Sequence, residues 1–146
     1  MKNMNKQKIF IIIVAATGVV SVFLPWLSVT EELSSMSMTI GGIDMWQGAF
    51  SLLGFVMAIG VCFSGNQGDP LKGALKERVT GAGAIACLFA LLQLVNLLFA
   101  TTSGISTNPG FGLFLSLLSG VAVVVLSFKG KPKYVVVLAR QTTKRS

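Results

Sequence analysis

Between Val79 and Phe128 the chain runs for 50 residues without one Asp, Glu, Lys or Arg. Nothing else in the sequence restricts the fold so tightly. A soluble element of that length needs a solvated face. A single helix of that length would measure about 75 Å, more than twice the ~30 Å hydrocarbon core of a bilayer. The run therefore doubles back within lipid. Its hinge is Thr101-Thr102-Ser103-Gly104-Ile105-Ser106-Thr107-Asn108-Pro109-Gly110, a dense set of turn formers. This predicts a third helix over about 79–100 and a fourth over about 111–128, joined by a short loop.

Two more uncharged stretches precede it. Ile9 to Thr30 ends in Phe23-Leu24-Pro25-Trp26, where proline stops a helix and tryptophan suits the headgroup level. A basic start before an apolar run also fits a signal peptide. This run is too long for one, and no small-x-small cleavage site follows it. It reads as a retained first helix, about 8–24. Met45 to Gly68 supplies a second, about 46–63, closed by Ser64-Gly65-Asn66-Gln67-Gly68-Asp69-Pro70. Leu71 to Arg78 reads equally as a short interfacial helix with Leu71 and Leu75 on one face, or as a solvated basic loop.

Charge sets the orientation. Only 12% of residues are charged, against roughly a quarter in soluble domains, and 53% are hydrophobic. A formal net charge of +7 would suit nucleic acid, but the twelve basic residues fall in three clusters, Lys2–Lys8, Lys72–Arg78 and Lys129–Arg145. Each cluster flanks an apolar run, as on the cytoplasmic side of a membrane protein. With both termini inside, every Lys and Arg is cytoplasmic, while Glu31, Glu32 and Asp44 lie outside. The expectation is an all-α integral membrane fold, a four-transmembrane-helix bundle in the plasma (inner) membrane. Lipid bilayer is its partner, and no nucleic acid is. A basic cytoplasmic tail occupies 129–146. Within it, Tyr134–Ala139 is too short to span and reads as a strand or an apolar patch.

The long outer loop, Pro25 to Gly48, carries acid and no base and has a tryptophan near each end, Trp26 and Trp46. Met36, Met38 and Ile40 alternate with Ser35, Ser37 and Thr39, the period of a half-buried strand. Leu27 and Val29 suit the partner strand, which predicts a small β-hairpin over about 27–44. Its expected interaction surface is Trp26, Glu31, Glu32, Ser37, Thr39, Asp44 and Trp46, although both tryptophans also suit membrane-interface anchors.

Small residues at i, i+4 spacing mark close helix approach in lipid. Helix two offers Gly54 and Ala58, helix three Ala82, Ala86 and Ala90, and helix four Gly112, Ser116 and Gly120. The chemistry of catalysis is missing from the spans. They contain no ionisable Asp, Glu, Lys, Arg or His at depth, so no proton path. Neither a histidine nor a buried lysine is expected beside any serine. Cys62 and Cys87 form no Cys-x-x-C, so no metal, redox centre or cofactor is expected. The intramembrane polar exceptions are Gln93 and Asn96, three residues apart and so expected on one helix face.

In plan, with Trp26 after helix one and Trp46 and Gly48 before helix two, the chain resembles the claudin/PMP22-type tetraspans. That resemblance implies four helices, inside termini, and a β-rich first outer loop. The loop departs from the family pattern: it has no cysteine pair, and Met45-Trp46-Gln47-Gly48 stands where the family has Gly-Leu-Trp. The Pro25-Trp26 exit and glycine-rich second helix also resemble small bacterial four-helix membrane proteins. The functional expectation is a non-enzymatic interaction or assembly protein that contacts itself or another membrane protein through the outer hairpin. The alternative is an oligomeric channel or small-solute transport subunit with a path past Gln93 and Asn96. A third reading is lipid bound between helices.

Overall fold

The computed structural model describes residues 4–31, 37–99 and 105–129. Glu32, the side chain of Glu31, the turn of the expected hairpin, Ala100, the first part of the hinge, Tyr134–Ala139 and the basic tail from 130 lie outside them. Four helices are long and apolar enough to cross a membrane: α1 (Lys6–Phe23), α2 (Trp46–Phe63), α3 (Gly73–Phe99) and α4 (Phe111–Phe128). Three are 18 residues long, about 27 Å. They pack in a ring, α1 on α2, α2 on α3, α3 on α4 and α4 back on α1, while the α2–α4 diagonal barely touches.

The ring is close because small residues face each other. A Cβ added to Gly54 would lie 2.7 Å from the Ala82 carbonyl oxygen, so α2 meets α3 backbone to backbone. Gly120 meets Cys87 in the same way between α4 and α3, and Gly83 meets Val123. Gly18 of α1 receives the ring of Phe55. Ala58, Ala82, Ala86, Ala90 and Ser116 are all buried in these seams. Close contact of this kind is the main source of attraction between helices that lie in lipid.

α3 begins six residues before the expected start, and the Leu71–Arg78 segment is neither a surface helix nor a solvated loop. Leu71 is buried in the core and Leu75 packs beside it, so the apolar face of this segment is turned onto the bundle. Lys72, Glu77 and Arg78 are exposed, and Lys76 is half-buried with its Nζ over the Phe128 ring. The result is one 27-residue helix of about 40 Å, longer than a hydrocarbon core.

One end of the bundle carries a three-stranded antiparallel sheet, β1 (Pro25–Glu31), β2 (Ser37–Gly41) and β3 (Ile105–Pro109), in the order β2-β1-β3. The β1–β2 hairpin falls within the expected loop. The third strand was not expected: half of the hinge between α3 and α4 is extended and pairs with β1 along its whole length. A 3-10 turn, Gly42–Asp44, leads from β2 into α2.

Candidate functional site

The sheet register sorts its residues into two faces. Leu27 lies opposite Ile40 and Pro109, and Val29 opposite Met38 and Thr107. Between these rows, Ser28 lies opposite Thr39 and Asn108, and Thr30 opposite Ser37 and Ser106. Side chains alternate across a strand. One face is therefore largely apolar, and the other is built of six hydroxyl or amide residues with no charge. Leu27 packs into the core beneath the sheet, which turns its row toward the bundle and the hydroxyl/amide rows away from it, while Met38 at the outer end of the apolar face is 68% exposed. Ser37, Thr39, Ser106 and Asn108 are exposed. Ser106 Oγ donates to the Thr30 carbonyl at 3.4 Å, a weak tie within the platform. β2 and β3 are the edges, each paired on one side only.

What fixes the platform to the helices is Trp26. Strand pairing slips by one residue between Pro25 and Leu27. Such a bulge brings neighbouring side chains toward the same face. Trp26 and Leu27 accordingly share the core cluster with Val22, Ala90, Leu97 and Leu113. The indole is fully buried, and its Nε1–H donates to the Ser21 carbonyl at 2.9 Å, near the end of α1. Two glycines make room for it. A Cβ on Gly112 would lie 2.9 Å from the indole, and one on Gly42 would collide with it. The backbone joins in, with Gly110 N–H donating to the Trp26 carbonyl at 2.8 Å and Gly42 N–H to the Leu24 carbonyl at 3.4 Å. Trp26 thus locks α1, β1, the 3-10 turn and α4 together. Its expected place on the contact surface is corrected: no part of it is accessible.

Trp46 does remain exposed, at 59%, and stands edge-on to Phe50 and Phe89, which are themselves stacked at 4.8 Å. Asp44 is exposed, and its Oδ2 accepts from the Gly41 N–H at 3.3 Å, holding the turn that follows β2. Ser37, Thr39, Asp44 and Trp46 are therefore all accessible at the sheet end. Ser106 and Asn108, which complete the hydroxyl/amide face, were missed from sequence. The signal was faint, because Ser-Thr-Asn-Pro-Gly is also the chemistry of a turn.

Gln93 and Asn96 part company. Gln93 is buried in the bundle and Asn96 is exposed. Residues three apart differ by about 60° around a helix, and here the bundle surface passes between them. The two do not line a common path.

The end opposite the sheet holds a second correction. Lys8 is buried at 1% exposure, where no buried lysine was expected. Its stem packs among the helices, and Nζ reaches the Asn66 carbonyl at 3.1 Å. Long basic side chains do this at the edge of an apolar medium. Beside it, Gln7 Nε2 donates to the Leu126 and Ser127 carbonyls at 2.8 and 3.2 Å, and its Oε1 accepts from Leu71 N–H at 3.3 Å. Asn5 N–H donates to the Gln67 carbonyl. These bonds tie the start of α1 to the α2–α3 connection and to the end of α4. All of them run to main-chain groups of neighbouring elements.

Among the described residues, no cluster of three or more His, Cys, Asp or Glu could hold a metal. No protein-family model matches the chain, and no curated protein is significantly similar to it.

Proposed function

We propose that the chain is a non-enzymatic interaction or assembly protein of the plasma (inner) membrane, and that the outer sheet is its contact surface. In this reading the four apolar helices span the bilayer. The basic clusters keep both termini inside, and the sheet stands outside. The observation that carries the proposal is the hydroxyl/amide face of Ser28, Thr30, Ser37, Thr39, Ser106 and Asn108. An uncharged row of donors and acceptors on a fixed sheet can be buried against a partner without stranding a charge. The open edge of β2 offers main-chain pairing to the same partner. Rigidity matters too, because a surface already ordered before binding loses less entropy on contact. Trp26 supplies that rigidity. The partner is a second copy of the chain or another membrane protein with a complementary polar sheet face. The claudin/PMP22-type plan is an architectural likeness that accords with this reading.

The experiment is the native mass of the wild type and of the Ser37→Lys/Thr39→Lys double variant, each extracted in mild detergent. The wild type is expected as a discrete oligomer or a stoichiometric complex. The double variant is expected to run alone, because two ammonium groups would have to be buried at a cost of several kcal/mol. A solitary wild type, or a complex indifferent to both lysines, would refute the proposal. The channel alternative loses its lining pair, since Gln93 and Asn96 occupy different surfaces.

A further inference from the structure

The flank of the bundle between α3 and α4 carries two clefts on one line. At the end opposite the sheet, Gly73, Lys76, Glu77, Thr80 and Phe128 surround a cleft of about 540 Å³. Further along, Ala84, Cys87, Leu88, Leu91, Val121, Val124 and Val125 line a groove of about 360 Å³. On α3 the lining positions 73, 76, 77, 80, 84, 87, 88 and 91 follow helical spacing along a single stripe. On α4 the lining positions 121, 124, 125 and 128 do the same. The first cleft is largely apolar but carries the charged side chains of Lys76 and Glu77, and the second is almost wholly apolar.

We infer that this stripe binds one glycerophospholipid of the cytoplasmic leaflet, its phosphate at Lys76 in the first cleft and an acyl chain along the groove. The inference uses the membrane-spanning part of the reading above and is independent of the outer sheet. Three observations favour this occupant over a protein helix. From Ala84 to Leu91 the groove rises about 10 Å, within the ~15 Å depth of one leaflet, so it holds part of an acyl chain and ends inside that leaflet. The head cleft offers the phosphate a cation, Lys76, whose Nζ is held 4.2 Å above the Phe128 ring. Arg78 and Lys129 adjoin the lining residues in sequence and add positive charge against the single acid Glu77. Thr80 Oγ1 lies 2.7 Å from Ser127 Oγ, which fixes α3 against α4 at the mouth of the cleft.

The test is native mass spectrometry of the detergent-extracted protein titrated with dioleoylphosphatidylglycerol, and with dioleoylglycerol, which has the chains and no phosphate. Wild type is expected to hold one equivalent of the phospholipid and to prefer it to the diglyceride by roughly tenfold or more, the worth of a charge-assisted contact. Lys76→Gln is expected to erase that preference. Val121→Trp is expected to weaken both lipids; Val121 is 45% exposed, so the ring fills the groove without entering the core. Equal binding of the two lipids by the wild type, an unchanged preference in Lys76→Gln, or undiminished binding by Val121→Trp would each overturn the inference. Release of the protein from membranes by an alkaline wash would instead overturn the membrane-spanning reading itself.

Discussion

Trp26→Ala removes the largest fully buried side chain of the protein, at the point where four elements meet. Truncating a buried Trp or Phe to Ala costs about 3–5 kcal/mol through lost transfer energy and the cavity left behind. The loss here lies at the upper end, because the Ser21 carbonyl also loses its 2.9 Å donor. Spread over a chain of this size, 3–5 kcal/mol corresponds to a fall in Tm on the order of 10 °C. The two cysteines provide the assay. Cys62 is buried and Cys87 half-buried, and both are free thiols. A thiol-reactive fluorophore in detergent therefore reads the loss of packing as temperature rises. Trp46→Ala is the control, since its ring is 59% exposed and its removal should cost under about 1 kcal/mol. Trp26→Phe keeps most of the apolar area and drops the N–H, and should fall between the two. A Trp26→Ala protein that melts with the wild type, or one no worse than Trp46→Ala, would refute the assignment of Trp26 as the lock between sheet and bundle.

Other substitutions test the seams and ties in the same assay. Gly54→Ala should destabilise by about 1–3 kcal/mol, because the new methyl lies 2.7 Å from the Ala82 carbonyl oxygen. Gly60→Ala in the same helix meets nothing within 4 Å and should be neutral or stabilising by up to about 1 kcal/mol. Equal effects at the two glycines would contradict the close α2–α3 contact. Gln7→Ala removes three hydrogen bonds at the end opposite the sheet, to the Leu126 and Ser127 carbonyls and from the Leu71 N–H; a loss of about 1–3 kcal/mol is expected, and an unchanged melt would show those bonds to be idle.

The helices were legible because lipid-compatible runs announce themselves by lack of charge, and the hinge between α3 and α4 by its glycine, proline and hydroxyl residues. The features missed all depend on partners distant in sequence. β3 is written in turn chemistry, and only β1, about 80 residues earlier, makes it a strand. Trp26 follows a proline at a helix end, which is where an interfacial anchor belongs. Its burial comes from two glycines, Gly42 and Gly112, brought in by other elements. Lys8 reads as one of several flanking charges, and the Asn66 carbonyl that receives it sits in the connection between α2 and α3. Charge alone puts the start of α3 too late, because Leu71 and Leu75 pack this basic turn onto the bundle. The alternation of Ser37, Met38, Thr39 and Ile40 showed half of the hydroxyl/amide face; the other strands' residues joined it only through register.

The most direct test of the outer sheet as a contact surface is site-specific photo-crosslinking in intact membranes. A photoreactive residue in place of Thr39 lies on the exposed hydroxyl/amide face, and one in place of Leu53, 54% exposed on α2, lies on the apolar flank of the bundle. A discrete protein adduct from position 39 and none from position 53 is the expected result. No adduct from 39, or the same adduct from both positions, would contradict it.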